Sequence, residues 1–169
     1  MLPAVKRGIV VLGSPIGTAE FVEAFNGEKL AEQARLWKEL PLLPDLQCAW
    51  VLLLMRCASR ANFRICSQPP EQVALYAASH DTAMWQILSA LVDRQDLSDV
   101  QFNAMIWAQL PLRMGGCGMR SALRSSPAAY WASVADTLPM MKTRSPNLAA
   151  AFLEQLLGSE SPAPCLFCS

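Results

Sequence analysis

Histidine occurs once in the 169 residues, at His80, and nowhere do two acidic residues stand side by side. Those two scarcities remove most enzymatic arrangements at the outset. No Ser, His and Asp fall in the order of a known hydrolase motif, and no carboxylate pair is available for acid–base work. Charge of one sign is also lacking. The 14 basic and 14 acidic residues cancel, so no global field draws the chain to nucleic acid or to an anionic membrane, and any such binding must come from local patches. Long apolar runs are missing too. The greasiest stretch, Leu46 to Met55, is about half the ~20 residues that a membrane-spanning helix needs, and Arg56 ends it. Met1 to Leu12 holds too few apolar residues for the apolar region of a signal peptide.

What is abundant is apolar surface. Hydrophobic residues make up 53% of the chain, enough to bury a real core in a chain of this length. The six cysteines, Cys48, Cys57, Cys66, Cys117, Cys165 and Cys168, sit mostly in apolar stretches where a reduced thiol behaves as a small hydrophobe. They point to an intracellular setting, cytoplasmic or nuclear.

Gly8 to Ile16 (GIVVLGSPI) carries a β-branched cluster bounded by glycine and followed by Ser-Pro, the pattern of one short strand running into a turn. Everything later favours helix. Thr18 is placed to cap a helix with Glu20 and Glu23 in its first turn, an apolar face of Val22, Phe25, the Lys29 stem, Leu36 and Leu40, and a stop at Pro41. Asp45 caps the next, in which Leu46, Ala49, Trp50, Leu53 and Leu54 recur at helical spacing, and Pro69-Pro70 breaks it. Val73, Ala77, His80, Met84, Ile87, Leu88 and Leu91 form the cleanest amphipathic stripe. Ser98 with Gln101 makes a capping box for a helix that stops near Leu110-Pro111. After a glycine-rich loop, Ser126-Pro127 is expected to open a helix that Pro139 closes, and a last helix follows Pro146.

The expected architecture is therefore mainly α: a single helical domain of about six helices with a short N-terminal β-strand or hairpin. Residues 1–17 form the strand leader, 18–157 the helical domain and 158–169 a flexible tail.

The chemistry-bearing constellations are few. His80-Asp81 resembles a base with its orienter, yet helix neighbours point to different faces, and the apolar stripe around His80 favours a core histidine. Cys165 and Cys168 form a CxxC pair without the second pair that zinc requires. Gly115-Gly116-Cys117-Gly118 lacks the lysine and hydroxyl residue of a phosphate loop and is better taken as a tight turn. The five tryptophans, Trp37, Trp50, Trp85, Trp107 and Trp131, lie in helical segments beside apolar residues, which favours packing over base stacking. No metal or other cofactor is implied.

Arginine is more suggestive. Arg56, Arg60 and Arg64 recur at i,i+4 spacing with no acid among them, and Arg113, Arg120 and Arg124 occupy a second acid-free stretch. Either set could grip phosphates. The competing expectation is a solvated face, or pairing with Asp93, Asp96 and Asp99.

GIVVLGSPIG (Gly8 to Gly17), LPLLPDLQCAWVLLLMRCASRANF (Leu40 to Phe63), His80-Asp81, LPLRMGGCGMRSA (Leu110 to Ala122) and SPAAYWAS (Ser126 to Ser133) follow one another along most of the chain. In order and spacing they resemble the region downstream of the catalytic palm in non-LTR retrotransposon reverse transcriptases. The resemblance implies that the VLG strand belongs to the strand pair near the primer terminus, with Leu12, Gly13 and Pro15 marking its end. It also implies that the later helices form a thumb or connector embracing the template-product duplex. Cys117 stands where the family would have leucine. The family's aromatic-Ala-Asp-Asp motif occurs nowhere in the chain, so the carboxylates that hold two divalent ions ~3.5–4 Å apart are not supplied by it.

The expectation is thus a non-catalytic fragment of an RNA-directed DNA polymerase. It contacts an RNA or DNA template-primer in company with a missing palm, with no membrane partner and with self-association possible through apolar surface. The alternatives are a helical protein-interaction module or a functionless remnant of a mobile element.

Overall fold

The computed structural model describes residues 7–92 and 101–158, the side chains of 101–103 and 155–158 excepted. It is mainly helical, with an antiparallel hairpin at its start. β1 (Gly8–Val11) pairs with β2 (Ser14–Gly17), Val11 facing Ser14 and Gly8 facing Gly17. The single strand expected from the sequence is thus the first half of a hairpin. Leu12 and Gly13 form its two-residue turn, both with positive φ, the backbone that matches the twist of paired strands. Pro15 faces Val10. By the alternation of an antiparallel ladder that is a pair without mutual hydrogen bonds, so the missing N–H of Pro15 removes nothing. Ser14 Oγ donates to Ser67 Oγ at 3.4 Å, tying β2 to the helical body.

The helices are α1 (Ala19–Trp37), α2 (Leu46–Leu52), α3 (Asn62–Ser67), α4 (Pro70–Leu91), α5 (Gln101–Gln109), α6 (Ala122–Arg144) and α7 (Pro146–Gly158). Thr18 caps α1 by accepting from the Phe21 N–H, and the Asp45 carboxylate caps α2 by accepting from Gln47 and Cys48. Pro70 sits at the start of α4, where its lost N–H has no intrahelical partner to miss. The Ser98 capping box lies outside the described residues, as do Asp93, Asp96, Asp99, Cys165 and Cys168.

The hydrophobic stripes hold with local exceptions. Val73, Ala77, Met84, Ile87 and Leu88 of α4 are buried. On α1 the buried positions are Val22, Asn26 and Trp37, whereas Leu36, expected inward, is mostly exposed. The inward face of α1 is set by Trp37, whose larger surface outweighs that of Leu36 one position earlier. The main core joins Trp37, Leu40, Leu53, Cys57, Met84, Trp85 and Met119. A neighbouring cluster joins Ala61, Ile65, Val73, Tyr76 and Ala122.

Two proline expectations are overturned. α6 begins at Ala122 rather than at Pro127, and it runs through Pro139 to Arg144. Its start is fixed by capping groups described below. Pro127 has no N–H to offer the Leu123 carbonyl one turn back. The buried Ser126 hydroxyl donates to that carbonyl instead, at 2.9 Å. The chain divides into two compact units, Met1–Trp131 and Ala132–Ser169, with the boundary inside α6. All features treated below belong to the first unit.

Candidate nucleic-acid interface

The path from α2 to α3 decides where the first arginine set points. α2 passes into a π-helical turn at Leu53–Cys57 and then a 3₁₀ turn at Ala58–Ala61 before α3 begins. Each change of pitch re-aims the side chains that follow. Arg56 and Arg60 stay exposed, but Arg64 is turned inward with 7% of its surface exposed. The single face of three arginines expected from their spacing is therefore a pair.

Arg64 lies within a buried polar cluster. Its Nη1 donates to Asn26 Oδ1 at 2.8 Å, and Asn26 Nδ2 donates to Gln68 Oε1 at 2.8 Å. The guanidinium stands 5.3 Å from the ring centroids of both Phe25 and Tyr76, a cation held between two aromatic faces. Burial pushes the Tyr76 hydroxyl up from its ordinary range, opposed by Gln33 and by the Arg64 charge. Asn26 and Gln68 escaped sequence reasoning. The available signal was the place of Asn26 in line with Val22 and Leu30 on α1, a polar residue inside an apolar stripe.

His80 and Asp81 also take structural roles. His80 is fully buried, and its Nε2 lies 3.2 Å from the Cys57 carbonyl, where the π turn meets the 3₁₀ turn. That acceptor places a proton on Nε2. Nδ1 has no hydrogen-bond partner and stands 3.8 Å from Asp81 Oδ1, too far for a hydrogen bond. Trp37 meets the ring edge-on at a centroid distance of 5.4 Å.

Asp81 caps the start of α6. Its carboxylate accepts from the Ser121 hydroxyl at 2.6 Å, the Ala122 N–H at 2.7 Å and the Leu123 N–H at 3.1 Å. Ser121 Oγ in turn accepts from the Arg124 N–H. Burial alone raises the Asp81 pKa, but the hydrogen bonds from the Ser121 hydroxyl and from the Ala122 and Leu123 N–H groups oppose it, and the carboxyl is held below its usual range. Histidine, aspartate and serine thus come together without forming a catalytic relay. The hydroxyl gives its proton to a carboxylate that spends its other lone pairs on backbone, and the imidazole faces a carbonyl.

The glycine-rich segment is a cap as well. After the 3₁₀ turn Leu112–Met114, Gly118 N–H donates to the Leu110 carbonyl, and Cys117 and Met119 N–H groups donate to the Ala108 carbonyl. These bonds satisfy carbonyls at the C-terminal end of α5. Gly116 passes so close to Leu110 that a Cβ there would lie 2.2 Å from the Leu110 oxygen. The arginines around this loop, Arg113, Arg120 and Arg124, are all exposed. Among the described residues neither they nor Arg56 and Arg60 form an ion pair with a carboxylate.

The hairpin presents apolar rather than polar surface: Ile9, Val10, Val11 and Ile16 are exposed, and Leu12 at the tip is 93% exposed. Pro15 is buried. Among the described residues no three His, Cys, Asp or Glu side chains gather as metal ligands, and no helix is long and apolar enough to cross a membrane. An open groove of about 330 Å³ between α1 and α4 is lined by Glu23, Asn26, Gly27, Leu30, Leu75 and Tyr76. No protein-family model matches the chain, and no curated protein or solved structure proved similar to it.

Proposed function

We propose that the chain is the thumb-like, non-catalytic region of a non-LTR retrotransposon reverse transcriptase, and that it contacts template-primer phosphates together with a palm supplied by another part of the polymerase. The observation that carries this is the exposed apolar hairpin Gly8–Gly17, with Leu12 and Gly13 at its tip, leading directly into a helical body. A two-stranded hairpin is marginal by itself in water, and one that exposes its aliphatic side chains is suited to packing on a further sheet. Exposed Arg56 and Arg60 on one segment, and Arg113, Arg120 and Arg124 on another, supply donors for phosphate. Arg64 serves the core and is left out of the contact set.

Fluorescence anisotropy with a labelled RNA–DNA duplex tests the proposal. Affinity should fall steeply as salt rises, and replacing Arg56 and Arg60 with glutamine should flatten the log–log slope by about 0.9 for each lost phosphate contact. No binding at low salt would remove it. The same exposed aliphatic residues favour a second reading, a helical interaction module that self-associates. Oligomers in sedimentation that persist at high salt, with no affinity for the duplex, would select it.

A further inference from the structure

We infer that the groove between α1 and α4 is a docking site for a cationic amphipathic helix of a partner protein, separate from the arginine surfaces and independent of any polymerase parentage. The two helices run parallel: the side chains of Asn26 and Gln33 bond in order to those of Gln68, just before α4, and Tyr76 within it. Both satisfy their own backbone, so an extended chain would find no edge to pair with. A third helix can lie between them where one wall is low enough for axes to approach to about 8–10 Å. Ala24 and Gly27 make the α1 wall low, and a Cβ at Gly27 would meet nothing within 4 Å. A glycine inside a helix costs about 1 kcal/mol against alanine, and no neighbour within the chain requires this one. A group approaching closely from outside would.

The lining fixes the chemistry of that partner. Leu30, and Leu75 at 60% exposure, offer apolar walls. The polar floor is already satisfied, Asn26 by Arg64 and Gln68 and the Tyr76 hydroxyl by Gln33, so the groove calls for apolar anchors rather than hydrogen-bonding groups. The charge around it has one sign. Glu23 lines the groove, Glu20 continues the same face of α1 one turn earlier, and Glu71 precedes Gln72 of the α4 wall, all three exposed. No lysine or arginine lines it. Lys29 stands over the Phe25 ring and is paired with Glu32 at 2.7 Å. The Arg64 charge is held behind Asn26, against the Phe25 and Tyr76 rings. An apolar stripe to fill the groove, flanked by lysine or arginine to meet the glutamates, is what a cationic amphipathic helix presents.

Fluorescence anisotropy of the full chain is measured with fluorescein-labelled helical peptides of about eighteen residues, five turns. One is built of leucine and lysine with its leucines on a single face, a second carries glutamate in place of lysine, and a third has the leucine–lysine composition scrambled off the face. Wild type should bind the first at least about tenfold more tightly than either of the others, and Glu23→Lys should reduce its preference for lysine over glutamate. Gly27→Leu fills the groove and should weaken the leucine–lysine peptide about tenfold. Gly27 is exposed and lies within a helix, so thermal melts should show this variant folded and no less stable than wild type. The inference is overturned if the leucine–lysine peptide does not bind, or if Gly27→Leu binds it as wild type does. Equal binding of the scrambled peptide would overturn it in favour of diffuse attraction to the glutamates of α1. Dimers of wild type in sedimentation that Gly27→Leu abolishes would overturn it in favour of a second copy of this chain as the occupant.

Discussion

Removing the Asp81 carboxylate should loosen the start of α6 and cost a large fraction of the stability of the unit that ends at Trp131. In Asp81→Ala the Ser121 hydroxyl and the Ala122 N–H, both buried, lose their acceptor, while the Leu123 N–H, only partly buried, can turn to water. Two stranded buried donors at about 1–3 kcal/mol each, with loss of a helix cap worth about 1 kcal/mol, give about 3–7 kcal/mol. Asp81→Asn keeps one oxygen for the backbone and should cost about 1–2 kcal/mol, chiefly from the lost negative charge at a helix N-terminus. Urea unfolding followed by tryptophan fluorescence reads the right unit, because Trp37, Trp50, Trp85, Trp107 and Trp131 all lie within it. The pH dependence has a definite sign. The folded pKa of Asp81 is lowered from 3.8, so its contribution is fully present above that value and is lost as pH falls through the folded pKa. Wild type should lose stability in that acid window by an amount that Asp81→Asn does not. A loss below about 1 kcal/mol in Asp81→Ala at pH 7 would refute the capping role.

The buried cluster predicts a contrast among arginines: Arg64→Ala should cost about 2–3 kcal/mol, because Asn26 Oδ1 loses its charged donor and Phe25 and Tyr76 lose the cation beside them while the Asn26–Gln68 pair stays bonded, whereas Arg56→Ala and Arg60→Ala should stay within about 0.5 kcal/mol, as measured by the same unfolding curves. Gly116→Ala, which pushes a methyl group against the Leu110 carbonyl, should cost about 2–4 kcal/mol. Gly115→Ala, with open space but positive φ, should cost about 1 kcal/mol, and thermal melts would rank the two. Ser126→Ala should cost about 1 kcal/mol with Pro127 present and close to nothing in a Pro127→Ala background, where the restored N–H can reach the Leu123 carbonyl; a double-mutant cycle with no coupling would exclude that exchange.

Local signals in the sequence identified the elements whose ends are decided locally. Thr18 and Asp45 cap the helices that their side chains suggest, and the stripe from Val73 to Leu88 turns inward as its period requires. What stayed hidden is decided by partners far along the chain. The start of α6 depends on a carboxylate that reaches Ser121 and Ala122 from Asp81, so proline rules placed it at Pro127. The arginine spacing assumed one uninterrupted helical pitch, and the π and 3₁₀ turns between Leu53 and Ala61 broke that assumption. Burial of Arg64 was illegible for the same reason, since Asn26 and Gln68 approach it from separate elements. The exposed groups of Trp107 and Arg113 were visible only as residue types, because helical spacing cannot say which tryptophan has a core to enter.

Two segments that the resemblance rests on, His80-Asp81 and Leu110 to Ala122, meet in space through the Asp81 carboxylate. The glycine loop closes α5, delivers Ser121 to Asp81, and so starts α6 at a fixed point relative to α4. His80 does the corresponding service by holding the Cys57 carbonyl where the helix changes pitch. These residues therefore act as joints between helices. A polymerase hand needs such joints wherever a thumb must hold a duplex at constant distance from a palm, but a bundle with any other task would need them equally. The identity of the chain consequently turns on surfaces the joints leave free, the hairpin tip at Leu12 and the arginines at positions 56, 60 and 113, where replacement should alter binding while leaving the fold intact.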